Sequence, residues 1–451
     1  MKNPATHGNP ATSAAPAIAA SERARAVDVL AREQGFALVG VAPAEASAYV
    51  TLVRDWIAAG RQGEMHYLAN NLETRLDPRR LLSGARSIIC VADFYVHEGT
   101  EGQRREAAEG AEGGSGGSGG SGGGRGRFAR YGWGDDYHKV MKKRLHALAD
   151  ALRQRWPEAV CKCTVDTAPI LEREHAARAG LGWVGKHTLL IHPRLGSYML
   201  LGAIVTTLEI EPTRRVRCAD LPESDTAAYT ASPGADGAGA GAEASRSAQR
   251  TLRTLPPLPG ADHCGTCTRC IDACPTQCIE NPAETGRRSV DATRCISYLT
   301  LEHRGPIEAS LHEAMGDWVA GCDVCQEVCP FNVRHEGTEG KVERRNVPDV
   351  MHPRYAPRPA LVAGVPLIEM LGWTEEDRRA AFQSSAFKRI KLDMLKRNAL
   401  IAAGNALRER EDAALRERED AALRERVAAL AADEGEAELV RETARQVLAG
   451  L

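Results

Sequence analysis

CGTCTRCIDACP, residues 264–275, is the segment from which the architecture of this chain can be inferred. Its C-x2-C-x2-C-x3-C-P spacing is the one with which bacterial ferredoxins bind 4Fe-4S clusters. A second run, C-x2-C-x3-C-P, begins at Cys322 and ends at Pro330. Because thiolates are soft ligands that suit iron–sulfur clusters, the two runs predict a ferredoxin-like module with two clusters.

The same spacing predicts how the cysteines are shared between the clusters. In two-cluster ferredoxins the fourth cysteine of each run ligates the other cluster. The first cluster is then expected to be held by Cys264, Cys267, Cys270 and Cys329. The second is expected to be held by Cys274, Cys322 and Cys325, and it needs one more thiolate.

Two cysteines between the runs are candidates for that fourth position, Cys278 and Cys295. Cys278 follows the Pro275 turn closely, and we expect it to pack as a small buried hydrophobe. We therefore predict that Cys295 is the fourth ligand. Zinc or disulfides are the alternatives for the whole set, but zinc sites favour paired C-x2-C knuckles over a triple run that ends in Cys-Pro.

Composition narrows the class of protein. A chain of 451 residues suits two to three domains. Its formal net charge is −2, so any surface that binds nucleic acid must be local. Thirteen cysteines, most of them in cluster spacing, indicate a reducing compartment. Residues 1–20 do not resemble a signal peptide, and no apolar run approaches the ~18 residues of a membrane span, so we expect a cytoplasmic protein that does not enter a membrane.

Segments rich in glycine, serine and alanine divide the chain. We predict a disordered tail, an N-terminal α/β domain with a Gly/Ser insert, a linker or surface insert, the two-cluster module, and a helical C-terminal region with a charged repeat. In that order, the parts cover residues 1–20, 21–218 with the insert at 110–126, 219–260, 261–335 and 336–451.

Apolar periodicity predicts an α+β fold. Strands are expected at residues 36–42, 87–92 and 198–208, and helices at 22–35, 137–155 and 170–179. Ser21 is expected to cap the first helix and Gly35 to end it. The C-terminal repeat begins at Leu407 and again at Leu415, an eight-residue period that drifts around a helix, so it predicts a solvated charged helix instead of a coiled coil.

The stretch VDTAPILER, residues 165–173, is the most unusual part of the N-terminal domain. An aspartate on a tight Asp-Thr-Ala-Pro turn before a helix can be held at the end of a strand, facing a pocket. Asp166 can equally be a helix-capping residue that contributes ~1 kcal/mol of stability. Local chemistry alone favours the capping role, because acidic residues are common at helix N-termini.

Several motifs in the same order resemble the epoxyqueuosine reductase family. The resemblance extends over about residues 22–408, outside the two low-complexity segments. It rests on VDTAP at 165–169, AGLGWVGK at 179–186, Asp136-Tyr137-His138, Gly196-Ser197, CISYLTLE at 295–302, GCDVCQ at 321–326, Arg397-Asn398-Ala399 and Gly404-Asn405.

The resemblance implies a cobalamin cofactor bound by the N-terminal domain, two 4Fe-4S clusters, a HEAT-like helical C-terminal region and a tRNA substrate. The reaction it implies is the reduction of the epoxide of epoxyqueuosine to the alkene of queuosine at the wobble position. It also implies an external low-potential electron donor and a monomeric enzyme. The family's proton donor corresponds to Asp166. Its cobalamin contacts correspond to Arg75, Asp166, Leu190, Leu201, Cys322 and Asp323.

Ordinary explanations exist for most of these residues when each is taken alone. Arg75 would form a surface salt bridge, and Leu190 and Leu201 would be core residues. For Asp166, burial beside the corrin would raise its pKa, the direction that a general acid needs. Six basic residues are expected to contact tRNA phosphates. They are Arg173, Lys388, Arg389, Lys391, Lys396 and Arg397. The alternative for them is a solvated basic helix face.

Two other functions are compatible with parts of the sequence. A reductive dehalogenase also combines cobalamin with two clusters, but such enzymes usually carry a twin-arginine signal, and none is seen in residues 1–20. A non-catalytic ferredoxin-type electron carrier would explain the cysteines alone. The Asp166 motif and the large N-terminal domain argue against a plain carrier.

Overall fold

The computed structural model describes residues 15–96, 124–213, 264–332, 334–335, 342–343, 351–408 and 417–451. Most of the predicted Gly/Ser insert and all of the predicted linker at 219–260 lie outside the described residues. Part of the charged repeat, residues 409–416, also lies outside them.

The strands of the described residues define two main sheets and two short pairs. In chain order they are β1 Leu38–Pro43, β2 Ser87–Phe94, β3 Arg125–Phe128, β4 Cys161–Thr164, β5 Trp183–Val184, β6 Leu190–Ile191, β7 Met199–Thr206, β8 Trp318–Ala320, β9 Arg334–His335, β10 Val342–Glu343 and β11 Val365–Pro366.

The α-helices vary from single turns to five turns in length. They are Ala15–Glu33, Val50–Ala58, His66–Ala69, Leu72–Leu76, Pro78–Leu81, Tyr137–Arg155, Glu172–Arg178, Arg269–Asp272, Pro282–Thr285, Ile296–Leu301, His312–Met315, Val324–Glu327, Pro359–Ala363, Leu367–Met370, Glu375–Ala381, Leu392–Arg408, Glu417–Ala432 and Glu438–Ala449.

The N-terminal domain is built on a four-stranded sheet of order β1-β2-β7-β4, in which each pair is antiparallel. Strand β2 is buried along its whole length, because helices cover both faces of the sheet. Helices Ala15–Glu33 and Tyr137–Arg155 pack on one face, and helix Glu172–Arg178 packs on the other. The chain is thus a mixed helix-and-sheet protein, as predicted, but the α/β type predicted for its N-terminal domain is wrong, because every strand pair of this sheet is antiparallel and the domain is of the α+β type.

A glycine allows the site-bearing helix to approach this sheet. A Cβ atom added to Gly40 in β1 would lie 2.2 Å from the carbonyl oxygen of Ala179. A larger residue at position 40 would therefore push the end of helix Glu172–Arg178 away from the sheet. The loop that precedes this helix carries Asp166, so the close approach fixes where that residue lies.

The first helix differs from the prediction. It spans Ala15–Glu33 and therefore includes Ser21, which was expected to be its cap. The reason is that residues 15–20 are rich in alanine, the best helix former, so the helix continues upstream of the serine. The predicted tail is wrong for residues 15–20, whereas Gly35, with φ of +74°, follows the helix end as expected.

A second core joins the cluster module to the C-terminal helices. A three-stranded sheet of order β11-β3-β8 brings together strands from the N-terminal half, the cluster module and the C-terminal region. Phe128, Trp318 and Leu400 belong to one apolar cluster across these parts. The cluster module therefore packs against both the N-terminal domain and the C-terminal helices.

The charged repeat is only partly solvated. Helix Glu417–Ala432 packs against helices Leu392–Arg408 and Glu438–Ala449, and it buries Leu423 and Val427. Of the repeat's described residues, Leu407 is buried and Ala421 and Ala422 are exposed, and the buried Leu423 and Val427 follow the repeat, so the solvated helix stays a prediction for the repeat itself. Within the part of the chain that the structure describes, every helix is too short or too polar to span a bilayer.

Candidate active site and cluster module

Asp166 lies in the turn between strand β4 and helix Glu172–Arg178. Its backbone has a φ of +55°, the left-handed region that costs a non-glycine residue energy and is found preferentially at functional sites. The carboxylate of Glu172 accepts a hydrogen bond of 2.8 Å from the Asp166 backbone N–H and so stabilises this turn. The residue before the helix is Leu171, and no side chain caps that helix. The helix-capping explanation of Asp166 is therefore wrong.

The Asp166 side chain instead ends a chain of hydrogen-bonded polar groups. The Nε2 atom of His138 lies 3.1 Å from Asp166 Oδ2, and its Nδ1 atom lies 2.8 Å from Asp136 Oδ1. Lys388 forms an ion pair with the other oxygen of Asp136. The ring of Tyr137 stacks on His138 with 4.0 Å between centroids. The imidazole is thus held at both nitrogens and on one face.

This arrangement determines where the proton resides. Partial burial opposes a charged imidazole, but the hydrogen bonds to Asp136 and Asp166 outweigh it and raise the pKa of His138 to about 9. The hydrogen bond from His138 lowers the pKa of Asp166 below its ordinary value. The Asp166 carboxylate thus faces an imidazolium of the protein itself, and the raised pKa expected beside a bound corrin stays a prediction.

Two further ionisable groups lie beside Asp166. Burial, followed by the nearby charge of Asp166, raises the pKa of Glu172 to about 8. Burial lowers the pKa of Arg75, whose charge faces Tyr67, Glu172 and Asp166. The guanidinium donates one bond of 3.3 Å to the Tyr67 carbonyl, and its buried Nε has no partner among the described residues. Arg75 is therefore a site residue, and the surface salt bridge expected of it in isolation is not formed.

The other predicted cofactor contacts occupy different settings. Leu190 in β6 and Leu201 in β7 belong to the apolar cluster under helix Glu172–Arg178. Asp323 is buried, and its carboxylate accepts hydrogen bonds from the backbone N–H and the guanidinium of Arg130, at 2.8 and 3.0 Å. The Asp323 side chain is thus occupied by Arg130.

The first predicted set of thiols surrounds a single cavity. The buried Lys186 ties the N-terminal domain to this region, because its ammonium donates to the carbonyl oxygens of Gly265 and Cys267 at 2.8 and 3.0 Å. Burial raises the pKa of Cys270 to about 11, so its thiolate needs a cation nearby. The cysteines that line the cavity are Cys264, Cys267, Cys270 and Cys329.

The second set of thiols gathers around Cys295. Cys322 and Cys325 lie within electrostatic range of its sulfur. Cys278 is buried, as predicted, but it also contacts two of the expected ligands: its Sγ is 3.4 Å from that of Cys274, and it forms a hydrogen bond with Cys295. The structure therefore brings five thiols together here, one more than a cubane cluster requires.

The spacing of these thiols bears on the zinc and disulfide alternatives. All cysteines of the described residues are free thiols. In the same described residues, no three His, Cys, Asp or Glu side chains converge closely enough to hold a single metal ion. The described cysteines therefore give no support to the disulfide alternative.

The basic residues expected to bind phosphate divide into exposed and buried groups. Lys391 is exposed, and Arg173 is exposed while it donates to the carbonyl oxygen of Thr188. Lys388 and Arg389 are half-exposed in ion pairs with Asp136 and Glu302. Three of them lie near Asp166: Arg173 and Arg389 act on its charge, and Lys388 pairs with Asp136, which His138 bridges to Asp166.

Arg397 and Lys396 do not fit the predicted phosphate-binding role. Arg397 is fully buried and donates to the backbone carbonyls of Leu299, His303 and Gly305, at 2.6 to 2.7 Å. Lys396 is buried in an ion pair with Glu436. The prediction is wrong for both, because helix Leu392–Arg408 is enclosed on nearly all sides.

Comparison with known proteins identifies the family. A family model described as epoxyqueuosine reductase QueG, DUF1730, matches residues 75–167, and one described as a 4Fe-4S double cluster binding domain matches residues 263–332. The curated epoxyqueuosine reductase of Synechococcus sp. (strain CC9605) is 33% identical over 379 residues, which cover 82% of this chain and 92% of that protein. This chain belongs to the epoxyqueuosine reductase family.

Other relatives agree with this assignment. The epoxyqueuosine reductase of Burkholderia pseudomallei (strain K96243) is 32% identical over 395 residues, covering 86% of this chain and 82% of its own. A crystal structure of an epoxyqueuosine reductase with a tRNA-Tyr epoxyqueuosine-modified tRNA stem loop matches the fold with a TM-score of 0.68 at 23% identity, covering 95% of this chain and 90% of that one. Membership of an oxidoreductase family excludes a plain electron carrier.

Three site residues of this epoxyqueuosine reductase family member were not predicted from sequence. His138 and Lys186 lie inside motifs that carried the family resemblance, yet neither was given a role, because their partners are 28 and about 80 residues away in the chain. Glu172 was part of the quoted VDTAPILER stretch. A signal was available for it: an acidic residue six positions after Asp166, on the first turn of the following helix.

The family's Arg397-Asn398 motif is predicted to stabilise the fold. Arg397→Leu leaves three carbonyls unpaired, at about 1–3 kcal/mol for each buried unsatisfied group, so the midpoint of thermal unfolding is expected to fall clearly. Lys391→Leu, on the exposed side of the same region, is the matched control and should change the free energy of unfolding by no more than about 0.5 kcal/mol. Equal midpoints for the two variants would contradict the structural role of Arg397.

Proposed function

We propose that this protein reduces epoxyqueuosine to queuosine at the wobble position of tRNA, with Asp166 as the proton donor. The observation that supports this most is the position of Asp166: a strained turn, fixed by Glu172 and His138, presents its carboxylate with 61% of the side chain exposed. Family membership supplies the reaction class. A solved relative with an epoxyqueuosine-modified tRNA stem loop supports the nature of the substrate.

The residues beside Asp166 fit the cobalamin that the family resemblance implies. Arg75 is buried and keeps one guanidinium nitrogen without a partner among the described residues, as expected where a polar group of a cofactor docks. Leu190 and Leu201 belong to the apolar cluster under helix Glu172–Arg178, which follows the Asp166 turn. Cobalamin would supply low-potential electrons to the epoxide. We propose that Arg75, Asp166, Leu190 and Leu201 hold it. We propose that Cys322, from the second group of thiols, and its neighbour Asp323 contact it as well.

Two 4Fe-4S clusters complete the proposed electron path. Three of the proposed ligands, Cys270, Cys274 and Cys329, are buried, and an unligated thiolate would be costly there: burial raises the pKa of Cys329 to about 12. Iron deprotonates its thiol ligands, so the donor set fits such clusters. We propose Cys264, Cys267, Cys270 and Cys329 for the first cluster and Cys274, Cys295, Cys322 and Cys325 for the second.

The stoichiometry sets what the chain must provide. Converting an epoxide to an alkene and water consumes two electrons and two protons. The electrons come from outside the chain, so we propose an external low-potential donor, and we propose that the enzyme acts as a cytoplasmic monomer. Protons must reach the departing oxygen from a positioned acid, since oxygen leaves poorly as an anion. Asp166 is the carboxyl group placed for that transfer.

The direct test is anaerobic purification followed by turnover. Purified protein should contain about eight iron atoms and one corrin per chain, given two 4Fe-4S clusters. With a chemical reductant it should convert epoxyqueuosine in a tRNA stem loop to queuosine, detected by mass spectrometry of the digested nucleosides. Iron and corrin without conversion of the RNA, but with loss of halide from an organohalide, would support the dehalogenase alternative instead.

We propose that the tRNA binds to the surface around Asp166. The modified base must leave its stack to reach a pocket, as in other base-modifying enzymes. Phosphates near that base would then meet the basic side chains of this surface. For these contacts we propose Arg173 of the N-terminal domain and Lys388, Arg389 and Lys391 of the HEAT-like helical region.

Removing two of these charges should change the salt dependence of binding. In the double variant Arg389→Ala and Lys391→Ala, the slope of log K against log salt should become shallower by about 0.7 for each single-strand phosphate that the protein no longer neutralises. Iron and corrin content should stay constant. Arg445 is a matched control, because its side chain is as exposed as that of Arg389, 48% in each case, and it also pairs with glutamates. A slope that is unchanged in the double variant, or equally reduced in Arg445→Ala, would contradict the assignment.

A further inference from the structure

His138 occupies a position that the proposed function does not yet use. Its two ring nitrogens bridge two carboxylates, Asp166 at 3.1 Å and Asp136 at 2.8 Å. The ring is 29% exposed, so it reaches both the Asp166 turn and solvent. A histidine that only filled space would need neither the second carboxylate nor the contact with water.

The surroundings of His138 keep its ring in one orientation. Tyr137 stacks on it, and Lys388 pairs with the free oxygen of Asp136 from the segment that follows Ser385. The charged groups that face the ring are therefore Asp136 on its own helix, Asp166 and Glu172 from the turn and helix after β4, and Lys388 through Asp136. In this orientation the Nε2 atom of His138 lies 3.1 Å from Asp166 Oδ2.

We propose that His138 is the proton source that recharges Asp166, and that Asp136 and Lys388 hold the imidazole for that transfer. The inference rests on the proposed function, because it needs Asp166 to give up protons. His138 does not touch the reacting atoms in this scheme; it is a positioning residue that acts through Asp166.

The proton balance can be written from the groups on this path. As a proton passes from Asp166 to the departing oxygen, the Nε2–H bond of the His138 imidazolium breaks and an O–H bond forms on Asp166. The neutral imidazole then takes a proton from water at its exposed edge. Two such cycles deliver the two protons of the reduction, and no electrons pass through His138.

Charges near the site support this direction of transfer. The pKa of His138 is raised to about 9, so the imidazolium is present at neutral pH, while the lowered pKa of Asp166 keeps it a carboxylate in the open site. A substrate that covers the exposed Asp166 side chain would remove its water. Desolvation disfavours the carboxylate and draws the shared proton towards Asp166.

The test compares pH profiles of kcat for wild type and two conservative variants. In wild type, kcat should fall as the pH rises above about 9, because His138 loses its proton there. His138→Gln keeps the shape and one hydrogen bond but carries no proton; kcat should fall about 10²-fold, KM for the RNA should stay constant, and the alkaline limb should disappear. Asp136→Asn should shift the limb to lower pH, since the imidazolium loses one stabilising charge. Added imidazole should partly restore His138→Ala.

Iron content, the corrin spectrum and RNA affinity of each variant serve as readouts that do not depend on turnover. They should match wild type. An unchanged alkaline limb in both Asp136→Asn and His138→Gln, with no rescue by imidazole, would overturn the role of His138 and leave the proposed function intact. A wild-type holoenzyme that does not convert epoxyqueuosine RNA would instead overturn the proposed function, so the two failures are distinguishable.

Discussion

Asp166→Asn is expected to lower the turnover of epoxyqueuosine RNA by ~10²–10⁴, the usual contribution of a positioned general acid. The amide has nearly the shape of the carboxyl group and can still contact His138, so the left-handed turn and its bond to Glu172 should persist. What it cannot do is accept a proton from the imidazolium and pass it on. Single-turnover rates with pre-reduced protein would isolate this step from the supply of electrons.

Two controls separate chemistry from structure in this experiment. Iron content and corrin content of Asp166→Asn should equal those of wild type, whereas Asp166→Ala should also lose part of its corrin affinity. Asp135→Asn is the matched control, because Asp135 is the residue before Asp136 but forms ion pairs with Arg354 and Arg358. Its turnover should equal that of wild type. Wild-type rates in Asp166→Asn would move the proton donor elsewhere. Glu172 would then be the first candidate, since its pKa is raised to about 8.

The cysteine spacing predicted more of the structure than any other part of the sequence. Ligands within one short run must face one centre, because a few residues of loop leave few other arrangements. The cavity that collects Cys264, Cys267, Cys270 and Cys329 was therefore foreseeable, including the contribution of Cys329 from the second run. The contact between Cys278 and Cys274 was not, because spacing alone does not report the direction of a side chain after a proline turn.

The electrostatics of Asp166 show where sequence reasoning ends. The direction of its pKa shift depends on His138, which is 28 residues earlier on another helix. Nothing in the local stretch reveals whether the carboxyl group faces an apolar wall or an imidazolium. Only the packing of helix Tyr137–Arg155 across the sheet places the imidazolium beside this carboxyl group, and the lowered pKa of Asp166 follows from that contact.

Arg397 illustrates a second limit. The sequence predicts a phosphate contact for this basic residue of a C-terminal helix, although Leu395, Ala399 and Leu400 around it indicate an enclosed helix. A guanidinium can be buried when its donors meet several carbonyls, as they do at Leu299 and its neighbours. Charge alone therefore does not place a residue on the surface; the apolar residues on all sides of it were the better signal.

Cys295→Ser and Cys278→Ser form the sharpest test of the cluster module. Cys295 is expected to be a ligand of the second cluster, so its serine variant should lose that cluster and retain about four of about eight iron atoms. Cys278 is expected to be a buried thiol that contacts Cys274 without binding iron. Its replacement exchanges a weakly donating thiol for a hydroxyl beside Cys274 and Cys295 and should leave the iron content unchanged.

The geometry makes the choice between these two cysteines a real question. The Sγ of Cys278 is 3.4 Å from that of Cys274 and also contacts Cys295, so either thiol lies within reach of the same cluster. A cubane accepts one thiolate per iron, and Cys274, Cys322 and Cys325 are expected to take three of its four corners. Iron analysis and low-temperature electron paramagnetic resonance of the reduced variants distinguish the cases. Loss of the second cluster in Cys278→Ser with retention in Cys295→Ser would transfer the fourth corner to Cys278, and equal loss in both would mean that the pair acts as one unit.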